Sequence, residues 1–366
     1  MGFEFSHFKS LVNVAIDNNA SDIHIRAEET PCFRINGDMV SVKSNKTLTT
    51  ESVLDILRLL TKDNKQIGNL EDIKDLDGAV DFEDICRLRF NYFRYNNKNG
   101  IVLRVVKKEI PSFKELGLSD SLKQIIRAKR GLILVTGATG SGKSTTLASM
   151  IDYINSKRAK HIITIEDPIE FIHTQKKSRI TQREVGIDTE NFEDGLKFAL
   201  RQDPDIILLG ELRDQKSVEI ALKAAETGHL VLATVHTTDA ISTISRIISM
   251  FSSDEQTEAR KRLSDALYST ISQRMIKSKK SPNGVRVAQE IMVTGPGVKE
   301  CIRGDEPIDR ILSIIENGGT NSGDIPCESF DQAIFTLLER GYITEEDASK
   351  EVRSAGDFMR KLMLTK

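Results

Sequence analysis

Tryptophan is absent from the 366 residues, and aromatic residues make up only 5%. Single-stranded nucleic acid is usually held by stacking bases on aromatic rings, so that platform is poorly supplied. Charge of one sign is missing too, with 52 basic residues against 54 acidic ones. A protein that tracks a phosphate backbone usually carries a basic excess, and the balance weighs against one. Cys32, Cys86, Cys301 and Cys327 form no C-x-x-C pair. Their separation argues against a zinc ribbon or a disulfide framework and suits a reducing cytoplasm. No run of 18 apolar residues is present, so no membrane span is expected. Nor is a basic segment followed by an apolar stretch visible at the start, so no signal peptide is expected. Met1, Gly2 and Ser6 fit the myristoylation pattern M-G-x-x-x-S, a match of three fixed positions that chance readily supplies.

A hydrophobic content of 39% over 366 residues is enough for two or three ordinary cores. Residues 7–20 read as a short amphipathic helix. The alternation in Asp22-Ile-His-Ile25 and Phe33-Arg-Ile-Asn-Gly-Asp38 predicts half-buried strands in a hairpin, with Asn36-Gly37 as its turn. Thr50 to Leu60 reads as a helix with Thr50 or Ser52 as its cap. Cys86 to Phe93 and Ile101 to Val106 read as two further strands, joined by the turn-rich Asn96 to Gly100. Residues 70–84 hold seven acidic side chains and one Lys, which reads as a solvated face. The first part is therefore a small α+β domain over residues 1–110. Ile110 to Gly117 reads as a linker, with Pro111 breaking regular structure and Gly117 ending a short turn.

Beyond it, Gly131–Thr136, His161–Ile165, Ile206–Leu209 and Leu230–Thr234 are apolar runs separated by helical stretches. Strands without polar alternation are buried on both faces, which predicts a parallel sheet covered by helices. Ser253-x-x-Gln256 reads as a capping box opening a helix that runs to about Ile276. Lys277 to Asn283 reads as a polar loop. The last hundred residues read as mostly helical, including Phe330 to Arg340 and a helix from Thr344, with Gly341 as a stop between them.

The chemistry concentrates in this second part. Gly137-Ala-Thr-Gly-Ser-Gly-Lys-Ser144 fits G-x-x-x-x-G-K-[ST], with an apolar strand before it and a helix (Thr145 to Asn155) after it. In that context backbone N–H groups from Gly137, Ala138, Thr139, Gly140, Ser141, Gly142 and onward to Thr145 wrap phosphates. Lys143 reaches the β- and γ-phosphates, and the Ser144 hydroxyl holds Mg²⁺. Thr164-Ile-Glu-Asp-Pro-Ile-Glu170 places carboxylates where a parallel strand ends, facing a nucleotide crevice. Glu166 or Glu170 can orient an attacking water there, and the other is expected only to cap or pair. Ile206-Ile-Leu-Leu-Gly-Glu211 is an apolar strand ending in an acid that suits a Mg²⁺ contact through water. Asp205, at the other end of that strand, reads as structural. In Gly228-His-Leu-Val-Leu-Ala-Thr-Val-His236, His236 falls at the strand end where a γ-phosphate would lie, which favours a sensing role. A strand of that length separates His229 from His236 by ~23 Å, so the two do not share a metal.

The order of these motifs resembles the secretion ATPase superfamily, in which they are the Walker A motif, Asp box, Walker B motif and His box. Gln182-Arg-Glu-Val185, Ala225-Glu-Thr-Gly-His229 and Ser21-Asp-Ile-His24 are similar to the type IV pilus retraction ATPases, the PilT and PilU branch. The similarity covers nearly the whole chain. It implies a homohexamer in which each subunit has a small PAS-like α+β N-terminal domain (1–110), a linker (111–118) and a RecA-like P-loop ATPase domain (119–366) of the α/β class. That domain's C-terminal region, about 297–366, is helical. It further implies ATP hydrolysis with Mg²⁺ at the cytoplasmic face of the inner membrane, with a pilus platform protein and a second retraction ATPase as partners. The work done would be pilus retraction and twitching motility. By motif, Glu170 becomes the catalytic glutamate, Glu211 the Walker B acid, and His229 and His236 the His box. Arg89 and Arg104 match arginines that reach a neighbouring subunit's nucleotide; alone, both read as solvated strand positions.

Two stretches depart from or refine the pattern. Where the retraction branch carries A-I-R-N-L-I-R-E, this chain has Gly297-Val-Lys-Glu-Cys-Ile-Arg-Gly304. Lys299 thus replaces an Arg, and Lys does not reproduce a bidentate Arg contact. The stretch from Phe330 to Leu364 resembles the accessory, PilU-type tail. Pilus extension and type II secretion relatives generally add an N-terminal domain and a four-cysteine zinc site; the start of this sequence in the small domain and the missing C-x-x-C weigh against that expectation. A PilT-like ATPase of type IV secretion, a RecA-type nucleic-acid translocase and a scaffold with an inert nucleotide site are the remaining alternatives.

Overall fold

The computed structural model describes residues 4–35, 38–43, 47–61, 70–83, 85–106, 109–278, 280–281, 284–319 and 325–365. Met1 and Gly2, the Asn36-Gly37 turn and part of the expected loop to Asn283 lie outside the described residues. The chain divides into two compact units: Met1–Glu109 with Glu170–Ile172, and Ile110–Ile169 with His173–Lys366.

The first unit is a six-stranded antiparallel sheet. Its strands are β1 (Ala20–Arg26), β2 (Cys32–Ile35), β3 (Asp38–Ser41), β4 (Asp75–Phe82), β5 (Cys86–Tyr95) and β6 (Lys98–Val106), in the order β3-β2-β1-β6-β5-β4. The period of two puts Ile23, Ile25, Leu88, Tyr92, Ile101 and Leu103 on one face. There they pack with Phe8 and Val12 of helix Phe5–Asp17 and with Ile56 and Leu57 of helix Thr50–Leu60. The first helix ends earlier than the expected residue 20, because Asn19 takes a positive φ of 54° and Ala20 opens β1. Helix Thr50–Leu60 is capped by Thr49 instead of Thr50 or Ser52: its hydroxyl accepts the Ser52 N–H at 3.1 Å.

The acidic stretch does present its aspartates to solvent, with Asp75, Asp77 and Asp81 exposed, but it is not only a face. It contains β4, paired with β5 along its whole length. Asp75, Asp77 and Asp81 alternate with Leu76, Val80 and Phe82, so the density of charge concealed an edge strand whose inward residues are apolar.

The second unit is built on seven strands: β7 (Gly131–Thr136), β8 (His161–Glu166), β9 (Arg179–Glu184), β10 (Ile206–Leu209), β11 (Leu230–Val235), β12 (Leu267–Lys277) and β13 (Val285–Val293). Their order is β13-β12-β7-β11-β10-β8-β9. All neighbours from β12 to β9 are parallel, and only β13 is antiparallel. The four apolar runs form the centre of this sheet, and every residue of β7, β10 and β11 is buried.

The long helix expected from Ser253 to Ile276 is not formed. The helix spans Gln256–Ala266 without a side-chain cap, and Leu267–Lys277 is a strand between β7 and β13. Ser269, Thr270, Ser272 and Gln273 are buried in it, and it was their polarity that hid a central strand in the sequence. The last hundred residues are thus part sheet, followed by helices Pro296–Arg303, Arg310–Glu316, Phe330–Glu339, Glu345–Glu351 and Ala355–Thr365. The last three helices close a separate small core with Ile276 and Ala288 of the β12–β13 pair.

Ile271 on β12 is fully buried. Ile271→Ala should lower unfolding free energy in a urea titration by about 2–5 kcal/mol, the range for truncating a packed aliphatic side chain. A helical residue on a half-exposed surface would give far less.

Candidate active site

The loop after β7 takes its path from three glycines. Gly137, Gly140 and Gly142 have φ of 145°, 80° and 86°, a region that only glycine enters without cost. At Gly137 there is also no room. A Cβ there would lie 2.4 Å from Ser141 Oγ and 2.6 Å from the Gln273 carbonyl of β12. Gly142 leads into helix Lys143–Lys157, whose first N–H groups have no intrahelical acceptor and present positive potential to an anion. The hydroxyl of Ser141 is buried without a hydrogen-bond partner.

Lys143 is buried, and its Nζ donates to the carbonyls of Gly137 at 2.9 Å and Ala138 at 3.0 Å. A buried ammonium needs such acceptors, and these two are weak competitors for an anionic oxygen. His236 stands at the end of β11, its Nδ1 3.5 Å from both Thr139 Oγ1 and Lys143 Nζ. On its other side, Nε2 lies 3.4 Å from Glu211 Oε1. Glu211 also accepts from Arg213 Nε at 2.7 Å, and Arg213 reaches to 3.6 Å from Asp167.

Gly210 fixes where Glu211 begins. Its N–H donates to the Ile165 carbonyl at 2.8 Å, and its carbonyl accepts from the Thr234 hydroxyl. The residue before the acid is thereby tied to the strands on both sides. Glu166 ends β8, with Thr164 Oγ1 at 2.6 Å and Gln182 Nε2 at 3.2 Å from the same carboxylate oxygen. Gln182 also accepts the His173 N–H at 2.8 Å. Burial pushes the His173 imidazole down to about 4, so it is neutral near pH 7.

Lys143, Glu211 and His236 therefore converge at the C-terminal edge of the parallel sheet, with Ser144 and Thr145 opening the helix beside them. A cavity of about 350 Å³ there is lined by Ala138, Thr139, Gly140, Ser141, Thr238 and Gln273, among others. His229 is not brought to this cluster. It precedes β11 at the opposite edge, with Nδ1 2.9 Å from the Ala224 carbonyl. Glu170 belongs to the three-residue segment Glu170–Ile172 that clusters with the first unit, and Arg89 and Arg104 lie in the Met1–Glu109 part of that unit. Those two arginines are cross-strand partners on β5 and β6, and Arg104 Nε is 3.0 Å from the nearly buried Asp22.

Sequence reasoning missed Arg213 and Gln273. Arg213 was legible as the third residue of Glu211-Leu-Arg, whereas Gln273 was hidden by the misread helix. Gln273 Nε2 donates to Thr146 Oγ1 at 2.8 Å, which fastens β12 to the helix after the loop. Lys299, the departure from the family pattern, lies 3.7 Å from Asp265, which Arg303 holds at 2.9 Å.

The family model for Type II/IV secretion system proteins matches residues 5–319. The chain belongs to that family. The type IV pilus retraction ATPase PilT of Pseudomonas aeruginosa is 39% identical over 348 residues, covering 95% of this chain and 98% of that protein. The type IV pilus ATPase PilU of the same organism is 36% identical over 360 residues, covering 98% of this chain and 91% of that one. A solved structure of the pilus retraction motor PilT with bound ADP superposes with a TM-score of 0.84 at 39% identity, over 96% of this chain and 98% of that one. This secretion ATPase is accordingly of the PilT and PilU branch, with a RecA-like P-loop domain behind a small PAS-like α+β domain, as the motifs implied.

The three loop glycines should not respond alike to alanine. Gly140, with nothing within 4 Å of a built Cβ, should lose about 1–2 kcal/mol from its left-handed backbone alone. Gly137→Ala should lower the thermal midpoint clearly more, because the loop or β12 must also move. Equal shifts in a thermal-melt comparison would contradict the crowding at Gly137.

Proposed function

We propose that this chain is an ATP-hydrolysing subunit of a homohexameric motor that drives type IV pilus retraction and hence twitching motility. The observation that carries the reading is the convergence of Lys143, Glu211 and His236 on a glycine-shaped loop, in a chain 39% identical to a pilus retraction ATPase. The loop N–H groups from Gly137 to Thr145 hold the phosphates. Lys143, leaving the carbonyls of Gly137 and Ala138, pairs with the β- and γ-phosphate oxygens.

The hard oxygen donors of Ser144 and Glu211 suit Mg²⁺, which keeps several waters and leans on phosphate oxygens. No group of three or more His, Cys, Asp or Glu that could hold a metal occurs among the described residues, and a nucleotide-linked Mg²⁺ requires none. Bound there, Mg²⁺ would neutralise charge on the β- and γ-phosphates. His236, between Thr139, Lys143 and Glu211, reads the presence of the γ-phosphate. Glu170 orients the attacking water, and Glu166, held by Thr164 and Gln182, is a contact near the nucleotide.

Arg89 and Arg104 approach the nucleotide of a neighbouring subunit and offset charge developing on the γ-phosphate. Asp22 orients Arg104 for this. His229, at the other sheet edge, acts across a subunit boundary. In this reading the domains are 1–110, a linker 111–118 and 119–366. The motor works at the cytoplasmic face of the inner membrane against a pilus platform protein and beside a second retraction ATPase. The tail helices after Phe330 favour the accessory, PilU-type position. Among the described residues no helix is long and apolar enough to cross a membrane. Near-neutral charge and few aromatics speak against the nucleic-acid translocase.

ATP turnover and particle mass of the purified protein, beside Glu170→Gln, Lys143→Ala and Arg104→Ala, test the reading. A hexamer is expected whose turnover falls by about 10²-fold or more in all three variants with unchanged mass. A monomer, or normal turnover in Arg104→Ala, would remove the shared-site mechanism and leave a P-loop ATPase.

A further inference from the structure

β13 carries a carboxylate that the site above does not use. Glu290 is 1% exposed, and its Oε1 accepts the backbone N–H of Ala240 at 2.9 Å. Ala240 opens the nine-residue helix Ala240–Ile248, four positions after His236. Asp239 closes the same helix start, accepting the Ser242 N–H at 2.8 Å and the Thr238 hydroxyl at 3.0 Å. Two carboxylates thus hold the turn that runs from His236 to Ala240. Thr238, within that turn, lines the cavity beside the glycine loop.

Glu290 Oε2 is buried with no hydrogen-bond partner, and Arg353 Nη2 stands 3.6 Å from it. Arg353 follows helix Glu345–Glu351 and lies beyond residues 5–319 covered by the family model. Its own N–H is held by Asp331 at 3.1 Å. The segment before it is fastened to β12: Arg274 donates to the Glu351 carbonyl at 2.8 Å and lies 4.0 Å over the Phe330 ring. The tail therefore delivers its guanidinium from a packed position. A buried carboxylate is costly unless neighbouring charges and donors compensate it.

We propose that Glu290 and Arg353 are positioning residues for His236, with the C-terminal tail stabilising the buried carboxylate that anchors the His236 turn. The groups facing Glu290 are Arg353 and Arg274, which favour its charged form, and Asp239, which opposes it. Burial is the largest influence and raises its pKa above the ordinary glutamate value. Removing Arg353 raises it further, since a cation favouring the charged form is lost. Activity that needs the ionised carboxylate then survives at high pH and disappears as pH falls through the raised value. This proposal rests on the reading of His236 given above, and its test separates the two.

ATP hydrolysis by the full chain is measured as kcat and KM between pH 6 and pH 8.5 for wild type, Arg353→Ala, Arg353→Lys, Glu290→Gln, His236→Ala and the His236→Ala/Arg353→Ala pair. Thermal melts confirm folding. Arg353→Ala should lose about tenfold in kcat near pH 7 with KM within about twofold, and recover towards pH 8.5. Arg353→Lys should restore most of the rate. Glu290→Gln should be slow at every pH, and the double variant no slower than His236→Ala alone. Wild-type kcat and pH profile in Arg353→Ala, or fully additive losses in the pair, overturn the proposal. If Arg353→Ala fails to fold, the Arg353→Lys and Glu290→Gln profiles decide alone, and a wild-type profile in Glu290→Gln overturns it. Normal hydrolysis in His236→Ala would instead overturn the sensing role on which the proposal stands.

Discussion

Between the end of β7 and the carbonyl of Gln273 there is space for a backbone and nothing more. That closeness governs the second unit. It demands glycine at 137, which bends the loop back so that the Ser141 hydroxyl fills the remaining volume. The bend brings Lys143 inside, where the carbonyls of Gly137 and Ala138 accept from it. It also makes β12 part of the phosphate cradle, through Ser272 against Thr136 and Gln273 against Thr146. A cradle assembled from a loop, a helix start and a neighbouring strand is rigid because each member constrains the other two.

Around the cradle, charges are arranged in a chain. Asp167, Arg213, Glu211 and His236 run acid, base, acid, base, with Lys143 a second base beyond His236, each within about 4 Å of the next by side-chain atoms. In the proposed reading, a phosphate entering beside Lys143 would meet His236 first and Glu211 next, an imidazole and a carboxylate at the ends of two neighbouring strands. The tie of Gly210 to both flanking strands means that Glu211 answers through its side chain while its backbone stays fixed.

Much of this was legible in the sequence, and for identifiable reasons. Apolar runs without alternation announced the buried parallel strands, and the glycine-lysine motif announced the loop, because both patterns follow directly from burial and from backbone sterics. The strands that escaped were those whose chemistry resembled something else. β4 looked like a charged surface because aspartates fill its outward positions. β12 looked like helix because Ser269, Thr270, Ser272 and Gln273 occupy buried positions, where hydrogen bonds of Ser269, Ser272 and Gln273 replace apolar contact. The site's acidic and histidine members were readable from strand ends. Their partners on β12 and in the tail were not, since nothing local in Gln273, Glu290 or Arg353 states which element it faces.

The two sheets also differ from a common hazard of β proteins in how their margins are finished. β3 is only four residues long. β4 sets Asp75, Asp77 and Asp81 along its outer face, and β9 carries Arg179 and Arg183. The free side of β13 meets Glu328 through a bridge at Ile291. Short, charged or covered margins discourage strand-on-strand growth between molecules. Edges finished this way offer a second copy few backbone groups to pair with, so contacts between copies of this chain fall to side chains more than to shared sheet.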